Sequence, residues 1–322
     1  MLLVLCKSYQ IVTNFVSNQR SSHMSCPFAG APVYGMLLSH AERLRVVGCG
    51  FKGKLVRLLS HAECGRHFEP QSNNDVRHKL MRCIVRRVAA GLAAAVRHKV
   101  AKEAEELCAS GLCAAAVVPL QQAIDFGDFT SRALLAWMLV HGRKGVAQDV
   151  RRAFDLAEEG VRLGCHHCKG VMAYCLYDGH GCEIDWEQSL DLARQSSGRR
   201  SKYGQYMLGM LHQVGGRGLV VDIAQALAFY RLAAVQGLDV AQNWMGTMYY
   251  GGYGVARDLA EALRWYQLAA AQGYPEALFE VAEFHLYGYS VAADVVEAIR
   301  WYRRAQAAGH PLAKRTLEML CA

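Results

Sequence analysis

The feature that most restricts the fold of this chain is an internal repeat of about 36 residues. Residues 277–309 match residues 241–273 at 14 of 33 positions when the two segments are aligned without gaps. A period of roughly 20 to 50 residues is typical of solenoids, in which each repeat buries its apolar face against the next one. The period continues towards the N-terminus in a series of aspartates spaced by 36 or 37 residues: Asp149, Asp185, Asp222, Asp258 and Asp294.

Each repeat is predicted to be a pair of helices. After Asp258, for example, apolar side chains recur with helical spacing at Leu259, Ala262, Leu263 and Tyr266. The aspartate is predicted to be the N-cap, because its carboxylate can accept hydrogen bonds from the amides of the first helical turn. In four of the five units a Gln or Glu follows three residues later and predicts a capping box: Gln188, Gln225, Glu261 and Glu297.

Glycines separate the helices of each pair and of neighbouring pairs. Those predicted to turn the chain before the aspartate are Gly145, Gly181, Gly218 and Gly254, with Ser290 in the fifth unit. Those predicted to end the second helix in a left-handed cap are Gly127, Gly164, Gly198, Gly237, Gly273 and Gly309. The sequence therefore predicts an all-α fold, a right-handed α-solenoid of about five antiparallel helix pairs over residues 111–322 with a basic helical N-terminal extension.

Two units share the repeat pattern most fully, at Ala262, Trp265, Tyr266, Ala269 and Gly273 and at Ala298, Trp301, Tyr302, Ala305 and Gly309. This pattern resembles the Sel-1-like repeat (SLR), a relative of the tetratricopeptide repeat, over about residues 127–320. The resemblance implies an adaptor or scaffold that binds other proteins, and it implies no catalytic residue. The Trp-Tyr pairs of the pattern are expected to pack in the core and between repeats.

Solenoids commonly bind peptides on their concave surface, which the first helix of each unit is expected to line. Side chains predicted to be exposed there are candidates for contact with a partner, since Tyr, Trp and Met suit interface hot spots. For Trp244 and Phe284 the alternative is packing between units. The candidate partner-binding residues are Tyr206, Met210, Gln213, Gln242, Asn243, Trp244, Thr247, Glu280, Glu283 and Phe284.

The N-terminal third differs from the repeats in charge. Residues 1–102 contain 16 Lys and Arg against 4 Asp and Glu, whereas the remaining residues contain 20 against 24. Residues 76–110 are predicted to form a basic amphipathic helix whose apolar stripe caps the solenoid. The alternative is that its basic face contacts an anionic surface and tethers the protein to a membrane. Nucleic acid is not an expected partner, because no aromatic residue interleaves the basic positions.

Residues 1–75 are poorly defined and are expected to be partly disordered or to hold a targeting segment. A G-x-G-x-x-G string at residues 48–53 leaves open a cofactor-binding or enzyme-associated protein built on residues 24–75, with the repeats as a regulatory arm. A dinucleotide fold needs further parallel strands, and the sequence after residue 75 is predicted to be helical. Twelve cysteines without a convincing secretion signal predict reduced thiols in a cytoplasmic protein, with a mitochondrial location as the alternative.

Two groups of Cys and His residues have spacings that would suit zinc: Cys165, His166, His167, Cys168, Cys175, His180 and Cys182, and Cys49, His61, Cys64 and His67. Cys168 occupies the position that Ala241 and Ala277 fill in later units, so packing is the favoured explanation, and no metal or cofactor is predicted. The signatures of serine hydrolases, zinc proteases, P-loop proteins and kinases are missing from the sequence. The predicted function is therefore a non-enzymatic adaptor that holds a segment of another protein.

Overall fold

The computed structural model describes residues 91, 93–142, 145–215 and 219–321. All of these residues beyond position 96 belong to one compact unit, Arg97–Ala322. Several predictions lie outside the described residues: those for residues 1–75, including the second zinc hypothesis and the cofactor hypothesis, those for residues 76–90 and 92 of the basic helix, and the turn at Gly218.

The described residues form α-helices joined by short turns. The first helix, α1, comprises residues 93–109. The helices that follow in the described part of the chain are α2 (Cys113–Asp125), α3 (Phe129–His141), α4 (Val150–Arg162), α5 (His166–Asp178), α6 (Trp186–Gly198), α7 (Lys202–Val214), α8 (Ile223–Val235), α9 (Asp239–Gly251), α10 (Leu259–Ala271), α11 (Pro275–Tyr287), α12 (Val295–Ala308) and α13 (Ala313–Cys321). No described helix combines the length and the apolar character that crossing a membrane requires.

Helices α3 to α12 form five successive pairs, which we number units 1 to 5 from α3/α4 to α11/α12. Within each pair the two helices pack on each other, and each pair packs on the next. The predicted all-α solenoid of about five helix pairs is confirmed.

The repeated aspartates cap the second helix of each unit. The carboxylate of Asp258 accepts a hydrogen bond from the Glu261 amide at 3.0 Å, and the other four aspartates do the same at 2.9 to 3.0 Å. The second half of the predicted capping box, in which the Glu or Gln side chain would accept a hydrogen bond from the aspartate amide, is wrong. The Asp258 amide donates to the Tyr249 carbonyl at 3.0 Å, so it is satisfied by the end of the preceding helix. The Glu261 side chain forms an ion pair with Arg264 instead.

Left-handed backbone conformations end the second helices. Gly164 and Gly273 have φ values of +83° and +81°, which only glycine adopts without strain. In unit 2 the predicted cap at Gly198 is wrong, because Gly198 is the last residue of α6 and Arg200 takes the left-handed conformation at φ +59°. Ser290, which replaces the turn glycine of the fifth unit, also has φ +59°.

In the later units a tyrosine of the second helix packs on a small residue of the first. A Cβ atom placed on Gly246 would lie 2.6 Å from Cδ1 and Cε1 of Tyr266, and one placed on Gly209 would lie 2.7 Å from Cδ1 of Tyr230. A side chain at either glycine would therefore have to displace a buried ring. The motif residues divide into buried tyrosines and half-buried tryptophans: Tyr266 and Tyr302, and Trp265 and Trp301.

Candidate functional site

The first helices of units 1 to 3 pack directly on one another. Helix α3 packs directly on α5, and α5 packs on α7, in addition to their contacts with the second helices. The ninth residue of each first helix changes along the solenoid from aromatic to polar and acidic. We call the surface around these residues the inner face: Trp137, Tyr174, Met210, Thr247 and Glu283.

Units 1 to 3 line the inner face with aromatic side chains. The ring centroid of Trp137 lies 5.1 Å from that of Tyr174, 5.2 Å from that of Tyr203 and 5.7 Å from that of Tyr206. Aromatic pairs of this kind each add about 0.5–1.5 kcal/mol to the stabilisation from burial. Trp137 is only 2% exposed and Tyr203 only 1%, so this part of the inner face is covered.

The cover comes from α1 and the turn that follows it. The Cys108 thiol of α1 lies 3.6 Å from the Met138 sulfur of α3. A Cβ atom placed on Gly111, in the turn after α1, would lie 3.4 Å from the carbonyl oxygen of Gln272. Residues 97–111 therefore extend from the first unit to the turn between the fourth and the fifth.

Lys202, in the first turn of α7, marks the path of α1 across the third unit. Burial lowers the pKa of the Lys202 ammonium, and the nearby carboxylates of Asp239 and Glu105 act against this shift. Glu105 belongs to α1 and Asp239 to the first turn of α9. The described part of α1 thus connects units that are not adjacent, whereas the repeats of a solenoid normally contact only their neighbours.

Three of the ten predicted partner-binding side chains are buried, with exposed fractions of 4% for Tyr206, 6% for Gln242 and 0% for Phe284. Phe284 packs edge-on against Tyr266 with ring centroids 5.7 Å apart, as the alternative of packing between units predicts. The side-chain amide of Gln242 donates to the Ala234 carbonyl at 3.2 Å and so ties α9 to α8. In this structure these three side chains hold units together and are closed to a partner.

The other seven predicted side chains are half-buried: Met210, Gln213, Asn243, Trp244, Thr247, Glu280 and Glu283. Tyrosines of the second helices fix several of them. The Tyr230 hydroxyl donates to Gln213 Oε1 at 2.6 Å, and the Tyr230 ring stacks on Trp244 with centroids 5.6 Å apart. In unit 5 the Tyr302 hydroxyl donates to the Glu283 carboxylate.

Unit 5 makes its part of the inner face acidic. Glu280 and Glu283 lie one turn apart on α11. Burial and the neighbouring charge of Glu283 raise the pKa of Glu280 from 4.5 to about 7. Neither carboxylate forms an ion pair with a basic residue in the described part of the chain. Asn243, on α9, adds a buried side-chain oxygen that accepts no hydrogen bond. Negative charge and free acceptors of this kind suit an ammonium or guanidinium group.

The cysteines that could have bound zinc in unit 2 make other contacts. Cys165 is the N-cap of α5, and its sulfur accepts a hydrogen bond from the Cys168 amide at 3.3 Å. The His180 ring lies 3.6 Å from the Asp178 carboxylate. Within the described ranges, no three His, Cys, Asp or Glu side chains come together in a way that could hold a metal ion. Sequence analysis missed the capping role of Cys165, although this cysteine stands directly before the helix.

The Sel1 repeat family model matches the chain in five segments: residues 131–165, 171–197, 202–238, 239–274 and 275–310. These segments follow units 1 to 5 and together cover more than half of the chain. The chain is a Sel1 repeat protein. The resemblance stated from the repeat pattern is therefore confirmed, and with it the helical scaffold that such repeats form. Sel1 repeat proteins generally mediate interactions between proteins.

Several solved structures are similar to this one. A Sel1 repeat protein from Oxalobacter formigenes is 22% identical, with a TM-score of 0.48, over 68% of this chain and 89% of its own. The protective antigen c5321 of uropathogenic Escherichia coli, which displays an SLR fold, is 20% identical, with a TM-score of 0.47, over 83% of this chain and 59% of its own. The immunity protein Pa5087 from Pseudomonas aeruginosa is 18% identical, with a TM-score of 0.41, over 67% of this chain and 83% of its own. A comparison with curated proteins gave no match.

Proposed function

We propose that this Sel1 repeat protein is a non-enzymatic adaptor that binds a segment of a partner protein on the inner face of units 3 to 5. The observation that carries the proposal is the pair Glu280 and Glu283, which lies half-buried on α11 without a basic partner among the described residues. Helix α1 covers the aromatic part of the inner face, so the polar and acidic part is the surface that a partner would meet.

The proposed partner segment is basic. Because burial and the charge of Glu283 raise the pKa of Glu280 to about 7, the ionised form of Glu280 is disfavoured at neutral pH. A Lys or Arg side chain of a partner would stabilise that charge, and a hydrogen bond to a charged group typically contributes about 1.5–3 kcal/mol. Met210 and Trp244 are half-buried on the same face and supply an adaptable and an aromatic contact surface.

Immobilised synthetic peptides test this proposal with the full chain. Each peptide is made in matched forms that carry Lys, Arg, Gln or Glu at one position. We expect the chain to retain a subset of the Lys and Arg forms. For the double variant Glu280→Gln with Glu283→Gln, binding should fall by about tenfold or more, since loss of one charged contact of about 1.5 kcal/mol already corresponds to that factor.

Glu276→Gln is the matched control, because Glu276 lies in the first turn of α11 and is exposed to solvent. This variant should bind like the parent chain. The proposal is refuted if Gln peptides bind as well as Lys peptides, or if the double variant binds like the parent. It is also refuted if no peptide in the set is retained.

A further inference from the structure

We propose that Cys165 and Cys168 are a redox-active pair that forms a reversible intrachain disulfide by exchange with a low-molecular-weight disulfide. This site is separate from the inner face and does not depend on the adaptor proposal. Its chemical partner is a small disulfide of the glutathione type.

The two cysteines lie close together at the start of α5. Cys165 is the N-cap of α5, and Cys168 lies three residues later in its first turn. Residues at this helical spacing have Cα atoms about 5 Å apart, within the range of roughly 4.4–6.8 Å that a disulfide spans. Both sulfurs also approach the same carbonyl oxygen, that of Phe129, at 3.5 Å for Cys165 and 3.9 Å for Cys168. The two thiols are therefore neighbours on one side of the helix start.

The two thiols also differ in acidity. A side-chain hydrogen bond from Cys168, helped by the backbone amides of Cys168 and His167, lowers the pKa of Cys165 to about 7 against the effect of burial. The same hydrogen bond and burial raise the pKa of Cys168. Burial also raises the pKa of Cys175, farther along α5, to about 12. Cys165 is thus the thiolate and Cys168 the proton donor, a division typical of a Cys-x-x-Cys pair at a helix start.

The exchange has two steps. The Cys165 thiolate attacks one sulfur of the small disulfide, so that a mixed disulfide forms and one small thiolate leaves. The Cys168 thiol then transfers its proton to this thiolate, and its sulfur attacks Cys165. The bond between Cys165 and Cys168 forms as the second small thiolate leaves. The protein loses two electrons and the small disulfide gains them.

Burial makes this exchange slow but does not prevent it. Cys165 is 3% exposed and Cys168 is fully buried, so a reagent reaches them only when the α4–α5 turn opens. That turn faces open space, since Leu163 and Gly164 are exposed and a Cβ atom placed on Gly164 would meet nothing within 4 Å. Turns with few contacts open at low free energy compared with global unfolding.

Oxidation would change the contact between units 1 and 2. In the reduced protein both sulfurs lie near the carbonyl of Phe129, the first residue of α3. Formation of the disulfide removes the S–H group of Cys168 and fixes the distance between the two sulfurs, so these contacts change. The site would therefore couple the redox state of its surroundings to the packing of α5 on α3.

The test equilibrates the full chain with a series of ratios of reduced to oxidised glutathione. Equilibrium is approached from both sides, from reduced protein and from protein oxidised while unfolded and then refolded. After acid quenching and alkylation, peptide mass mapping identifies the thiols that have been lost. We expect both approaches to end with the same fraction of a disulfide between Cys165 and Cys168.

Three variants make the result specific. Cys168→Ser should stop at a mixed disulfide between glutathione and Cys165, because the resolving thiol is missing. Cys165→Ser should give neither a glutathione adduct nor a disulfide at residue 168. Because serine preserves the N-cap, this variant should stay folded. Cys175→Ser is the matched control and should oxidise like the parent chain. Circular dichroism before oxidation verifies that all variants are folded.

The proposal is overturned if the 165–168 disulfide is missing at every ratio, including in protein that starts oxidised. It is also overturned if Cys168→Ser gives no mixed disulfide at Cys165 while the other cysteines react. A disulfide that instead pairs Cys168 with Cys175 or Cys182 would contradict the assigned geometry as well.

Discussion

Replacing Glu280 with glutamine should make the folded state more stable at alkaline pH and should flatten the pH dependence of its stability. Burial and the nearby Glu283 charge raise the pKa of Glu280 in the folded state to about 7, compared with an ordinary value of 4.5. Between these two values the folded state binds more protons than the unfolded state, so the free energy of unfolding falls as the pH rises. Glutamine has nearly the same shape and cannot ionise.

The size of the effect follows from the two pKa values. The difference between 4.5 and about 7, at about 1.4 kcal/mol for each pH unit, corresponds to on the order of 3 kcal/mol. This is an upper bound, because the half-buried carboxylate keeps some contact with water, which screens its charge. We expect Glu280→Gln to equal the parent chain below about pH 4.5 and to exceed it by 1 to 3 kcal/mol, as an order of magnitude, at about pH 8.

Urea unfolding followed by circular dichroism between about pH 4 and pH 8.5 measures this difference. Other groups also titrate in this range. Burial lowers the pKa of His167 to about 4, for example, so that group makes the folded state more stable as the pH rises. The comparison is therefore the difference between variant and parent at each pH, with the exposed Glu276→Gln as control. If the difference for Glu280→Gln is the same at every pH, the assigned protonation of Glu280 is incorrect.

Four further substitutions test the packing, the helix cap and the turns by urea unfolding at neutral pH. Gly246→Ala should lower the free energy of unfolding by about 1–3 kcal/mol, because the new Cβ would lie 2.6 Å from Tyr266. Gly198→Ala should raise the free energy of unfolding by up to about 1 kcal/mol, because a Cβ atom there meets nothing within 4 Å. Equal effects would contradict the close packing. Asp258→Ala should lower it by about 0.5–2 kcal/mol through loss of the N-cap, and no change would contradict that role. Ser290→Gly should raise it by about 1 kcal/mol, since φ is +59°, and a decrease would contradict the inferred strain.

The helices and their caps could be predicted from the sequence because the interactions that fix them are local. The carboxylate of Asp258 needs only the amide three residues later, and the repeat sets its position. The incorrect prediction at Gly198 follows the position of the nearest glycine, whereas the repeat period places the cap two residues later. Counting 36 residues from Gly164 gives position 200, where Arg200 is left-handed, and counting 37 more gives Gly237. The repeat period therefore predicts the position of this left-handed cap better than the nearest glycine does.

Burial on the inner face could not be predicted, because it depends on contacts between units. The pattern places Tyr206 and Phe284 on the first helices, but their helical positions do not show what lies opposite them. Phe284 is buried because the ring of Tyr266, from the preceding unit, packs against it. The path of α1 could not be predicted from the sequence either. No local pattern shows that Gly111 meets Gln272, which is more than a hundred residues away in the sequence.

This long-range contact changes what the repeats can do. When repeats contact only their neighbours, every part of the concave surface is equally open, and stability is a sum of local terms. Here residues 97–111 connect the first unit, near Met138, with the turn between units 4 and 5, at Gln272. The aromatic part of the inner face is therefore buried by contacts within the molecule, whereas Glu280 and Glu283 are half-buried without a basic partner among the described residues. We therefore place the proposed site for basic segments at Glu280 and Glu283 and not at the aromatic part of the inner face.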